Sequence, residues 1–457
     1  VLARDFQLFT QSVMDEMFRY YRETIRTAGY NGPASWGNYD KVLRVTESRR
    51  KNNIMTEVNT YHSFYHLNRV PQLSSIGNAL LSFRDAAGSR IPGFPLLVTE
   101  YNDNHLNRYS HEFGLTFPAY SALQNFSGLF FHNSSVITDR IQAPESFDKT
   151  GCHVIATAPM MRAGVFLAAC LYGRGDVSAS RHMVVLNYDR NFMKTIRANG
   201  YPNAQQTRLA LLSGFGVDFP SPGRKAPVCD LAFPGYGNDA ADYQIYLLAC
   251  SGDSEARKDM LAAHVEELRK KGILSPDNRT DIAKGVFESD TGELLLETTL
   301  PRMRVVTPRT EVISLPRDGS AKASLLEVRN TSTCATIAAT AMDRKNLEQS
   351  SRIVLLFITE NAWEGSIRTP DGDYILSPGP LKRNKQPVGN FLVKSGKLNL
   401  CLKNSSGGKF ILYPLSLNGI RREPIPIRQK GDRIEITIDT AKLKHGVTPF
   451  FELAAEL

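Results

Sequence analysis

Glu100 closes a short apolar run, Phe94-Pro-Leu-Leu-Val-Thr-Glu-Tyr-Asn102. A run of this kind, bounded by Gly and Pro and broken by a polar residue, reads as a buried strand. In parallel α/β folds the reactive groups collect at the C-terminal ends of strands. A carboxylate held there can attack an anomeric carbon or stabilise the positive charge that develops on it.

Three other strand ends carry residues of matching chemistry. They are Ser35-Trp-Gly-Asn38, Asn59-Thr-Tyr-His62 and Phe131-His132. If these strands are neighbours, Trp36, Asn38, Asn59, His62, Tyr101, Asn102 and His132 share one rim with Glu100. Aromatic rings there would cover the apolar faces of a sugar, and amides would bind its hydroxyls. Each residue also has a plainer role open to it. Glu100 could pair with Arg108, His62 and His132 could be hydrogen-bonded wall residues, and Trp36 could belong to the core. Tyr101 and Asn102 could simply shape a loop. Glu112 reads as a helix residue in a structural ion pair. His62 and His66 stand four apart, but Ser63-Phe-Tyr65 reads as loop and no HExxH occurs. The six cysteines are scattered, with no CxxC or zinc spacing. No metal and no cofactor are implied.

The elements that would position these residues follow from periodicity. Phe6, Phe9, Val13, Met14, Met17, Tyr21 and Ile25 recur at helical spacing, so a helix is expected over 6–28, stopping at Gly29. Short strands are expected near 33–37, 54–61, 94–100 and 128–132, with helices over 109–124 and 159–173. Strands alternating with helices imply βα units on a parallel sheet. Residues 1–175 therefore read as one α/β domain. Residues 176–457 read as a β-rich accessory region. It has a helix near 253–271 and then short runs such as 353–357, 410–413 and 434–438, punctuated by Asp371-Gly372 and Asn418-Gly419 turns. The net charge of +9 is mild for 457 residues. Without a dense basic stripe it argues against nucleic acid as the partner. No apolar run is long enough for a membrane span.

The Pro95-to-Asn102 run resembles the seventh strand of the clan A glycoside hydrolases, whose terminal Glu is the nucleophile. The stretch from Asn107-Arg-Tyr through Glu112-Phe and Ala119-Tyr-Ser-Ala-Leu-Gln124 to Gly128-Leu-Phe-Phe131 resembles the path to the eighth strand in bacterial enzymes of that clan. Asn59-Thr-Tyr-His62 resembles the end of the sixth strand. Gly175-Asp-Val177 resembles the exit into an accessory sandwich, and Ser289-Asp-Thr-Gly292 with Thr307-Pro-Arg309 resembles that sandwich's strands. The resemblance implies the C-terminal half of a (β/α)8 TIM barrel followed by antiparallel β-sandwich domains. It implies retaining hydrolysis of a poly- or oligosaccharide with Glu100 as nucleophile, and an extracellular or periplasmic location. The clan's acid/base follows an Asn at the fourth strand end. No Asn-Glu precedes the first helix, so that residue is expected upstream of Val1 and the chain alone is expected to be inactive. Two departures, Asn59 where a His is common and His132-Asn133 where a Trp is common, imply altered substrate choice or lost activity. The alternative is a non-catalytic carbohydrate-binding or scaffold protein on the same fold.

Overall fold

The computed structural model describes residues 2–38, 41–63, 69–70, 72–132, 155, 158–196, 200–238, 258–363, 367–370, 374–375 and 391–456. Helix α1 (Leu2–Thr27) ends at Gly29, whose φ of +89° suits a residue without a Cβ. Helix α2 (Leu43–Asn52) follows. Strands β1 (Thr56–His62), β2 (Leu96–Asp103) and β3 (Gly128–Phe131) form a parallel sheet in the order β1-β2-β3. Helix α3 (Leu81–Ala87) connects β1 to β2, and α4 (Thr116–Leu123) connects β2 to β3. Helix α5 (Pro159–Ala168) runs on into a π turn at Ala169–Gly173.

The expected barrel is not what forms. Among the described residues β3 pairs only with β2, and the expected strand near 33–37 reduces to one parallel bridge, Ser35 to Met55. A barrel closes only when every strand has a partner on both sides. The chain instead builds a second, separate parallel sheet from β4 (Met183–Asn187), β5 (Gly214–Asp218) and β6 (Leu231–Pro234), in the order β5-β4-β6. Arg50 of α2 reaches Asp218 at the end of β5, at 3.3 Å. The half-barrel reading is thus corrected to two small open parallel sheets.

An eight-stranded antiparallel sheet dominates the rest. Its strands are β7 (Val286–Glu288), β8 (Leu294–Glu297), β9 (Arg302–Val306), β10 (Thr310–Leu315), β13 (Ala335–Ala341), β14 (Arg352–Ile358), β16 (Phe410–Pro414) and β19 (Phe450–Ala455). They stand in the order β7-β8-β9-β10-β13-β14-β19-β16. A five-stranded antiparallel sheet comprises β11 (Ala321–Lys322), β12 (Leu326–Thr331), β15 (Lys397–Lys403), β17 (Arg428–Lys430) and β18 (Arg433–Asp439). Its order is β11-β12-β15-β18-β17.

The large sheet is covered on both faces. Ile313, Ile337 and Leu355 share a core with Leu400 and Ile436 of the smaller sheet. Their sequence neighbours Val312, Ala338 and Leu356 share the other core with Phe113, Met160 and Leu167 of the α/β region. Alternate side chains point to opposite faces of a strand. Two covered faces therefore need the nearly unbroken apolar runs seen at 335–341 and 352–358. That second core also runs unbroken across residue 175. Arg174 fastens the crossing. Its guanidinium donates to Thr340 Oγ1 at 2.6 Å and to Ala341 O at 3.0 Å, and it pairs with Asp176, which in turn accepts from Thr310 Oγ1 at 2.6 Å.

Candidate functional site

Glu100 lies in β2, which runs three residues beyond it. Before it, Leu96 and Val98 point into the helix-covered core. Strict alternation would send residue 100 the same way. The pairing with β1 slips there, because Val58 stands opposite Val98 but Asn59 stands opposite Glu100. Thr99 is the extra residue of a bulge, and its hydroxyl donates to Val58 O at 3.2 Å. A bulge reverses the facing of everything after it. Tyr101 therefore enters the core, and Glu100 turns to the uncovered face beside Tyr61.

Three side chains from three segments meet Glu100. The Tyr61 hydroxyl of β1 donates to Oε2. Asn38 Nδ2 donates to Oε1 at 3.3 Å. His132 Nδ1, just past β3, stands 3.9 Å from Oε2, and its ring meets that of Tyr61 edge-on at 5.7 Å. The Glu100 side chain is 27 % exposed and that of His132 42 %. The carboxylate is thus oriented from several sides yet open to a ligand.

The Asn38 segment is held from beneath. Arg49 of α2, wholly buried, donates to the carbonyls of Trp36 and Gly37. Asn38 O accepts from Asn59 N at 2.6 Å. Lys41 Nζ donates to Asn59 O at 3.0 Å while pairing with buried Asp85 at 2.6 Å. Trp36 is 45 % exposed, and its ring tilts against Tyr21 of α1 at 5.1 Å.

The remaining expected residues serve the frame. His62 is buried, its Nε2 is 3.0 Å from Leu73 O, and burial lowers its pKa to about 4. Tyr101 is buried, stacks on Phe117 and Phe113, and donates to Phe113 O at 2.9 Å. Burial pushes its phenol well above the ordinary range. Asn102 is buried, donates to His132 O and accepts from Asp103 N at 2.7 Å, so it fixes the backbone that carries His132. Asn59 contributes through its backbone. His66 and Asn133 lie outside the described residues. Glu112 is not in a helix ion pair. It sits in a short 3-10 turn, accepting from Ser74 Oγ at 2.8 Å and Ile76 N at 2.9 Å, and burial raises its carboxyl to about 7. The residue that sequence reasoning passed over is Tyr61. It stands two places from Asn59 on the face that Glu100 joins, and the apolar spacing Val98 to Tyr101 is the visible sign of the slip.

No protein-family model, curated protein or solved structure matches the chain. No helix of the described residues is long and apolar enough to cross a membrane.

Proposed function

We propose that Glu100 is the catalytic carboxylate of a retaining glycoside hydrolase acting on a poly- or oligosaccharide. The observation that supports this reading is the open carboxylate at a parallel strand, held by Tyr61 and Asn38 with His132 beside it. Hydrogen bonds from a phenol to one oxygen and an amide to the other fix the plane of the carboxylate, so the nucleophile is oriented before the sugar arrives. Attack of Glu100 on the anomeric carbon would form a glycosyl ester as the glycosidic C–O bond breaks and the leaving alcohol takes a proton from a general acid. Water would then cleave the ester, releasing the sugar and restoring the carboxylate, with its proton returned to that acid. Asn38 would also reach a sugar hydroxyl, and exposed Trp36, two residues away, would cover an apolar sugar face. Retention requires a second carboxylate about 5–5.5 Å from the first. The described contacts of Glu100 are an amide, a phenol and an imidazole, with no acid among them. That observation favours a second reading, in which the same rim binds carbohydrate without cleaving it.

Glu100→Gln and Glu100→Ala in the longest natural form of the protein test the proposal. Turnover of aryl glycosides should fall by about 10³-fold or more while the fold survives. A fluoroglycoside that traps the ester should add its mass to the peptide containing Glu100. Wild-type rates in both variants would remove Glu100 from the mechanism. Calorimetric binding of an oligosaccharide with no turnover by the wild type would select the second reading.

A further inference from the structure

The five-stranded sheet carries a pocket that is separate from Glu100 and independent of the function proposed for it. The segment Arg422–Pro426, the outward-facing Thr437 and Asp439 of β18, and the turn at 442–445 enclose a cavity of about 440 Å³. That is the size range of small-ligand sites, which run from about 300 to 1,000 Å³. Its walls divide by chemistry. Pro414, Pro424, Ile425, Pro426 and Leu443 supply rigid apolar surface. Thr437 and Asp439 supply oxygen groups suited to hydroxyls.

The charges at the mouth are unequal. Glu423 is already neutralised: Lys444 Nζ lies 2.5 Å from one oxygen and His445 Nε2 lies 2.7 Å from the other. These contacts hold the Glu423 carboxyl down at about 2. Asp439 has Lys442 and Lys397, each at 3.9 Å. Arg422 differs. Its Nη1 donates to the His445 carbonyl at 2.8 Å, and among the described residues no carboxylate lies within ion-pair distance of it. A guanidinium anchored at one nitrogen keeps its remaining donors in a planar fork, the geometry that suits a carboxylate.

We propose that this pocket binds a uronic acid. The sugar carboxylate lies on Arg422, the C–H face packs on the prolines, Ile425 and Leu443, and the hydroxyls reach Thr437 and Asp439. The anchoring of the arginine by a backbone carbonyl and the prolines lining the wall make the site rigid before the ligand arrives, which limits the ordering cost of binding.

The test is calorimetric titration of the full chain with glucuronate, glucose and acetate at low ionic strength, for the wild type, Arg422→Gln and Arg422→Lys. Glucuronate should bind the wild type, and binding should weaken about tenfold or more in Arg422→Gln, the loss expected for a charge-assisted hydrogen bond. Arg422→Lys keeps the charge but loses the fork, and should also weaken binding. Glucose and acetate should each bind far more weakly than glucuronate. Acetate binding as well as glucuronate would overturn the sugar-acid assignment. No glucuronate binding by the wild type, or equal binding by Arg422→Gln, would overturn the site. An unchanged thermal midpoint for both variants confirms that a loss of binding is not a loss of fold.

Discussion

Tyr61 and Glu100 come to face each other through one residue of slippage, and the hydroxyl is the closest described contact of the carboxylate. Removing only that oxygen, in Tyr61→Phe, keeps the ring and its edge-on contact with His132. In the glycosidase reading the phenol orients the nucleophile, so kcat/KM should fall about tenfold or more with stability nearly unchanged. Steady-state kinetics beside a thermal melt would check this, and wild-type kinetics in Tyr61→Phe would show that the phenol is incidental. The same residues show what a sequence reveals at this scale. The run ending at Glu100 announces a strand through its apolar residues and its Gly-Pro boundary. Asn38 and His132 are legible as strand-end polar groups and do meet Glu100. His62 and Tyr101 read identically, yet their side chains fall on the core-facing side. Side-chain facing depends on register, and register on a pairing partner forty residues away in the sequence.

At the scale of elements, α5 approaches the turn after Glu112 so closely that no side chain fits between them. A Cβ on Gly114 would stand 2.0 Å from the carbonyl oxygen of Gly164. Backbone cannot yield as a side-chain end can, so Gly114→Ala must push α5 off the α/β region. The cost should be about 3 kcal/mol or more, the range of severe overpacking, and urea unfolding would measure it. A cost below about 1 kcal/mol would show that the contact relaxes freely. The helices at 2–27, 116–123 and 159–168 and the strands at 352–358, 410–414 and 433–439 follow from periodicity or from short apolar runs, both of which are local properties. The sheets they join do not follow from it. The parallel pairing of 183–187 with 214–218 and 231–234 rests on contacts distant in sequence. An expectation of barrel strands has no local feature that would contradict it, since parallel strands flanked by helices look alike in open and closed sheets.

For the molecule as a whole, three buried titratable groups set opposing pH dependences: His111 and Glu112 at the junction between the α/β region and the large sheet, and His62 at the end of β1. His111 lies against Thr336 and Ser314 of the large sheet, at 3.2 and 3.4 Å, and burial lowers its pKa to about 3. His62 is lowered to about 4. Both are neutral in the folded protein and would be charged below about 6.5 in an unfolded chain. Their contribution is full above that value and is lost as pH falls toward the folded pKa values. Glu112 works in the other direction. Its carboxyl, at about 7 when folded and ordinarily 4.5, binds a proton more tightly in the folded state. Its contribution is present below pH 4.5 and is lost as pH rises to about 7, after which it changes no further. Glu112→Gln removes that titration and leaves those of the histidines. The stability of the wild type minus that of Glu112→Gln should therefore fall with rising pH between about 4.5 and 7, by up to about 3 kcal/mol at 1.36 kcal/mol per pKa unit. It should be flat on either side of that window. Urea unfolding at a series of pH values across the window reads this difference directly. A constant difference would mean that Glu112 titrates alike in the folded and unfolded states, so that its hydrogen bonds from Ser74 and Ile76 offset its burial. A falling one would mean that the loop carrying Ser74 and Ile76 is held to the junction by a carboxyl that is neutral in the folded state.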